Sequence, residues 1–261
     1  MYKGKGIIFT GCSFTWGGGL EYYAPFKDIP NPYDFQYDEQ KITFAIMNFI
    51  KANRFSRLVA NHFEMWEVNK LTCGGSDEAS INFLKNCFSL DNTKDSVKTI
   101  DKHYENIRHQ RFSTDEIEYV IFQLTHPLRT YNINLKNQKS ASDDFNNWEE
   151  MENHFISKNL QDVIEIFKQL EEMGIKCKLW SWHADYVNFI KNDEYLFNKF
   201  IKLKYDDKEF DCLYDLLEVY PKFRIRTSGF RLNGKEIPDD HQTIECHKVI
   251  ADSIISYLKN D

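Results

Sequence analysis

A short apolar run near the N-terminus, Gly6-Ile7-Ile8-Phe9-Thr10, leads straight into the turn Gly11-Cys12-Ser13-Phe14-Thr15-Trp16-Gly17. β-Branched and aromatic residues in so short a run, bounded by glycine, read as a buried first strand. The turn then lifts the Ser13 hydroxyl out of the sheet. Glycine on either side tolerates unusual backbone angles and leaves room for close approach. Small-residue turns after strands are common, and taken alone Ser13 reads as the cap of a following helix. The turn gains meaning only if a base stands elsewhere in a suitable setting.

Beyond the turn, strand-like and helix-like segments alternate. Strands are expected near residues 6–12, 67–72, 118–124 and 175–182, with a fifth around 223–227. Helices are expected near 41–64, 77–89, 148–173 and 243–258. Phe155, Val163, Ile164, Phe167 and Leu170 recur at helical spacing, and Gly174 makes a good stop. This alternation predicts a parallel sheet covered by helices on both faces. The 261 residues suffice for one sizeable α/β domain. Three insertions exceed ordinary connections, near 18–40, 126–147 and 186–222, and long loops at the carboxyl ends of strands tend to be functional lids. Tyr22, Tyr23, Tyr33, Phe35 and Tyr37 crowd the first of them. Packing is the default reading of such rings, and a carbohydrate site is the alternative.

The base stands at the far end. Pro238-Asp239-Asp240-His241-Gln242-Thr243 precedes a helical run from Ile244 to Leu258. A histidine on a loop beside an acid, ahead of a terminal helix, can serve as general base with its ring oriented by a carboxylate. Together the two segments resemble the first and last blocks of the SGNH/GDSL hydrolase superfamily, Gly-x-Ser-x-Thr-x-Gly and Asp-x-His-x-x-x-x-x-His. The resemblance spans about Gly6 to Leu258. It implies a three-layer α/β/α sandwich with a flavodoxin-like parallel sheet, and hydrolysis of an ester, including O-acetyl groups on carbohydrate. It also implies Ser13 as nucleophile, His241 as base and Asp239 as orienting acid, with Asp240 solvated or capping the helix. His247, within the helix, is expected to pack or face solvent. A strand ending in a glycine turn, here at Gly74 or Gly75, would add a backbone N–H to that of Ser13 in the oxyanion hole.

Two blocks depart from the pattern. The aspartate before the serine is Cys12, which is expected to lie buried behind the turn. The third block, after Tyr119-Val120-Ile121-Phe122-Gln123-Leu124, reads Thr125-His126-Pro127-Leu128-Arg129 and lacks the family's asparagine, an oxyanion donor. His126, Thr125 and Arg129 carry N–H or O–H groups that could replace it, and His126 is the candidate taken here. Removing one such donor costs about 2.7–4 kcal/mol of transition-state stabilisation. The alternative function is a non-catalytic module of this shape, used for binding or in an assembly such as a viral one. GCSFTWG-type turns also resemble those of phage-encoded relatives.

The remaining features exclude more than they add. A net charge of −7 argues against nucleic acid or anionic membrane as a partner. The expected partners are a small-molecule or carbohydrate ester and, in the alternative, an assembling protein. No apolar run is long enough to span a bilayer. Met1-Tyr2-Lys3-Gly4-Lys5 leads directly into the strand and leaves no room for a signal peptide. A cytoplasmic location is therefore expected, with virion association as the variant. The 6 cysteines show no paired spacing and are expected to be reduced. Cys12, Cys73, His241 and His247 carry zinc-ligand side chains that the proposed fold could bring fairly near one another, but no local spacing supports a zinc site. Neither metal nor organic cofactor is expected. Gly17-Gly18-Gly19 after a strand suggests a nucleotide site, but no phosphate-loop pattern accompanies it. His183 and Asp185, after Trp180 and Trp182, either bind substrate or simply end their strand.

Overall fold

The first strand, β1 (Gly6–Thr10), is buried at every position. The computed structural model describes residues 4–24, 44–69, 75–90, 112–129, 145, 147–229, 231–232, 234–236 and 239–261. Three further strands, β2 (Trp66–Asn69), β3 (Ile117–Leu124) and β4 (Lys176–Ser181), run parallel to β1 in the order β2-β1-β3-β4. Such strands must be covered on both faces, and side chains alternate accordingly. Ile8, Val120, Phe122 and Leu179 face one way, while Ile7, Phe9, Ile121 and Trp180 face the other.

The helices are α1 (Ser13–Trp16), α2 (Phe44–Asn53), α3 (Phe55–His62), α4 (Asp77–Phe88), α5 (Trp148–Glu172), α6 (Val187–Lys191), α7 (Glu194–Phe197), α8 (Leu213–Val219) and α9 (Ile244–Leu258). Helices α4 and α5 cover the first face, through Ile81, Leu84, Val163 and Phe167. Helices α3 and α9 cover the second, through Phe55, Val59, Ile250 and Ile254. Each of these apolar side chains contributes about 1.5–3 kcal/mol by leaving water. The result is a three-layer α/β/α fold whose strand order matches the first four positions of a flavodoxin-like sheet. No helix among the described residues is long and apolar enough to cross a membrane.

Three expectations need correction. The helix expected over 41–64 is two helices broken at Arg54, whose extended backbone (ψ 146°) turns its side chain inward to Glu67. The segment 223–227 is not a fifth strand of the sheet. Its alternating burial arises because it pairs with the loop that follows the second hairpin, Arg224 bridging Gln242. Ile225 N–H donates to the His241 carbonyl at 2.9 Å, and Arg226 N–H to that of Asp239 at 2.9 Å. Beside β4, the place of a fifth strand is taken by residues 199–201, where Phe200 bridges Leu179.

The segment 186–222 is also more core than lid. It holds α6, α7, the hairpin β5 (Leu203–Tyr205) and β6 (Lys208–Phe210), and α8. Leu203, Phe210, Leu213 and Leu216 join the cluster under α9. The hairpin turns on Asp206 and Asp207, both at positive φ (54° and 58°), the conformation a two-residue turn demands. A second small hairpin, β7 (Arg231–Leu232) with β8 (Lys235–Glu236), precedes the loop carrying His241. Much of the first two insertions, including Tyr33, Phe35, Tyr37 and residues 130–144, lies outside the described residues, as do Cys73, Gly74 and Pro238.

Candidate active site

Ser13 opens α1 immediately beyond the carboxyl end of β1. The N-cap of that short helix is Cys12, which makes no side-chain cap, so the Ser13 hydroxyl is not spent on capping. As a first-turn residue, Ser13 has a backbone N–H without an intrahelical acceptor. The turn is held from beneath by polar side chains at the ends of two strands. Gln123 Oε1 accepts from the Cys12 N–H at 3.3 Å and from the Thr15 hydroxyl. Asn69 Nδ2 donates to the Thr15 carbonyl at 3.1 Å and to Ser56 Oγ at 2.9 Å. Beneath these, the Arg54 guanidinium meets both oxygens of Glu67 at 2.8 Å, and Arg57 adds a third contact at 2.9 Å. Burial works against the Glu67 charge, yet Arg54, Arg57 and the Ser56 hydroxyl outweigh it and keep the carboxyl below its ordinary value.

His241 lies across from the serine, its Nε2 2.8 Å from Ser13 Oγ. Its Nδ1 stands 2.6 Å from Asp239 Oδ1, and that same oxygen accepts the His241 N–H at 2.8 Å. Two bonds from one residue to one oxygen fix the ring in the orientation a general base needs. Burial alone would raise the Asp239 carboxyl; the hydrogen bonds and charge of His241, with the Tyr22 hydroxyl, hold it below the usual value. Asp240 points away, exposed and paired with Arg226 at 3.1 Å.

Two of the three glycines after α1 are explained by His241, while a Cβ at Gly17 would press on Arg54, Ile50 and Leu20 at 3.1 Å. A Cβ at Gly18 would stand 2.8 Å from His241 Nε2, and one at Gly19 would stand 2.8 Å from His241 Cβ. The run is bare so that the imidazole can lie against the turn. Next to it, Glu21 is buried at 1% exposure. Both carboxylate oxygens lack a full hydrogen bond, the nearest donors being the backbone N–H groups of Gly19 and Glu21 itself. Burial pushes this carboxyl up to about 7, opposed by the His241 charge and reinforced by that of Asp239.

The other candidates fall as follows. Cys12 is buried and free, and burial raises its thiol above the ordinary value despite the Arg129 charge, so it is not poised as a thiolate. His247 is fully buried, accepts the Phe55 N–H at Nδ1 (3.3 Å) and stacks on the Phe55 ring. Burial, then the charges of His241 and Arg54, bring it down to about 3. From the third block, Arg129 is the side chain that reaches the serine turn. It lies against the Cys12 thiol and donates to the Gly75 carbonyl at 3.3 Å. His126 lies further out. Its Nδ1 accepts the Leu128 N–H at 3.2 Å, and its ring packs 5.1 Å from that of His183 and 6.5 Å from Trp182. Burial and the His183 charge lower its pKa. The Thr125 N–H is taken by Asp77 at 2.8 Å. Gly75 is buried at this edge of the sheet. Phe14 sits between His241 and Trp182, with ring centroids 5.0 and 4.9 Å away.

Motif reading found Ser13, Asp239 and His241 but not their supports. Gln123 and Asn69 are polar residues at the ends of otherwise apolar strands, a signal present in the sequence. Tyr22, Glu21 and Arg54 carried no such signal.

No family model and no curated protein matches this chain. Among solved structures, it is similar to a carbohydrate esterase whose active site is described as displaying divergent catalytic and non-catalytic binding functions. The two share 11% identity over 98% of this chain and 69% of that one, with a TM-score of 0.49. So distant a likeness carries no argument about chemistry.

Proposed function

We propose that this chain is a serine hydrolase of the SGNH type, cleaving a carboxylic ester such as an O-acetyl group on a carbohydrate. The observation that carries the reading is the continuous relay from Asp239 through His241 to Ser13, with steps of 2.6 and 2.8 Å. A serine hydroxyl is a poor nucleophile until a base takes its proton. Here Ser13 Oγ attacks the ester carbonyl while His241 Nε2 accepts that proton, and Asp239 stabilises the resulting imidazolium. The protonated imidazole then passes the proton to the leaving alcohol, and water, activated by the same base, releases the acid. The oxyanion is received by the backbone N–H groups of Ser13 and Gly75. Arg129 supplies positive charge beside them, in the role expected of His126. Phe14, against the His241 ring, and Trp182, against Phe14, give flat apolar faces near the serine, which suit a sugar ring.

The test is active-site labelling of the full chain with a fluorophosphonate, alongside hydrolysis of an aryl acetate and an acetylated oligosaccharide. Labelling lost in Ser13→Ala, with faster turnover of the acetylated sugar, is the expected result. A wild-type protein that neither labels nor hydrolyses either ester sinks the reading. It would then be a non-catalytic module, the reading favoured by a third block without asparagine.

A further inference from the structure

We propose that His126, His183 and Asp185 form a binding site for a divalent first-row transition metal, of which Zn²⁺ is the representative, with Glu152 as an auxiliary carboxylate. The inference is independent of the esterase reading. It rests first on placement. His126 follows the carboxyl end of β3, His183 and Asp185 follow that of β4, and α5 brings Glu152 alongside. One ligand atom from each of the first three lies within 4.8 Å of the others. Bonds of about 2.0–2.2 Å to a tetrahedral ion set ligand atoms about 3.4 Å apart, so the His183–Asp185 pair, now at 2.6 Å, opens while His126 closes in.

The second support is the convergence of two buried donor atoms. His183 Nδ1 and Asp185 Oδ2 form an ion pair at 2.6 Å, and both atoms are shut off from water. A metal would take the place of that contact, with the ring nitrogen and the carboxylate oxygen each turned to the ion.

The donor set selects the ion. Two imidazole nitrogens with one or two carboxylate oxygens suit zinc and its neighbours better than Mg²⁺ or Ca²⁺, which prefer all-oxygen shells. Ligation costs His126 its bond from the Leu128 N–H. At Nδ1 the lone pair goes to the metal, and at Nε2 the ring proton must move to Nδ1. The site is half-exposed and adjoins Trp182, which touches Phe14 beside the serine.

The experiment uses the full chain freed of metal with a chelator. Zn²⁺ binding is followed by calorimetry, and Co²⁺ binding by visible ligand-field absorption. One ion per chain is expected, with a rise in Tm on adding Zn²⁺. His183→Ala and Asp185→Asn should each weaken binding about 100-fold or more and abolish the Tm rise. His62→Ala, on the exposed surface of α3, should change neither, and Ser13→Ala should bind as the wild type does. Should a variant fail to fold, His126→Gln replaces it. Absence of saturable binding, or equal affinity in the folded His183 and Asp185 variants, overturns the site. Neither result bears on Ser13, whose labelling is read separately.

Discussion

At the scale of single residues, the relay makes unequal demands on its members. His241→Ala leaves Ser13 protonated at neutral pH, and kcat for an aryl acetate should fall about 10⁴-fold or more with folding intact. Hydrolysis at near wild-type rates in that variant would move the chemistry away from Ser13. Arg129 tests the oxyanion assignment. It lies against the Cys12 thiol and the Gly75 carbonyl, so under the proposed reaction its charge would stand beside the developing oxyanion. Arg129→Met should lower kcat about 100-fold with little change in KM, since the interaction strengthens only in the transition state. His126→Ala should change kcat far less. The reverse ranking would restore His126 to the role that its position in the third block suggested.

At the scale of elements, the bare glycine run is what admits the base. Gly18 is not at positive φ, so alanine there meets no backbone strain; its Cβ would press on the His241 ring at 2.8 Å and more lightly on the Ser13 carbonyl at 3.3 Å. Gly18→Ala should therefore shift the imidazole off Ser13 and cut kcat about 100-fold or more. Its Tm should stay within a few degrees of wild type. Equal losses of stability and activity would mean that the glycine serves packing rather than the relay. The same run shows where sequence stops being informative. Periodicity marked β1, β3, α5 and α9 because their partners are generic apolar surface. The terminal blocks marked Ser13, Asp239 and His241 as a set. Gly17-Gly18-Gly19 suggested a nucleotide site without a phosphate-loop pattern, and the purpose of Gly18 and Gly19 is hidden from local sequence because their partner, His241, comes from the far end of the chain. Segment 223–227 looked like a strand for a related reason. Phe223 and Ile225 are buried and alternate with the polar Arg224 and Arg226, but they brace the loop carrying Asp239 and His241 instead of extending the sheet. The break at Arg54 depends on Glu67, a partner that no local pattern names.

At the scale of the whole molecule, two buried titratable groups near the relay should shape stability in opposite directions. Burial lowers His247 to about 3, so from pH 6.5 downward the unfolded chain takes up a proton that the folded one refuses, and stability falls as pH falls. Glu21 works the other way. Its folded value of about 7 lies above the ordinary glutamate value of 4.5, so between those limits the folded state holds the extra proton. Stability contributed by the protonated form is complete below pH 4.5 and is lost as pH rises through 7. Between 4.5 and 6.5 the two slopes oppose, one proton against one. Glu21→Gln keeps the shape of the protonated acid and cannot ionise, so it isolates one side. The variant should match the wild type at pH 4.5, gain on it steadily, and exceed it by up to about 3 kcal/mol above pH 7. Denaturant unfolding of both proteins at half-unit pH steps reads this difference directly, with all other groups cancelling. A difference that stays flat from pH 4.5 to 8 would show that Glu21 ionises in the folded protein as it does in water. It would then not be the desolvated neighbour of His241 and Asp239 described here.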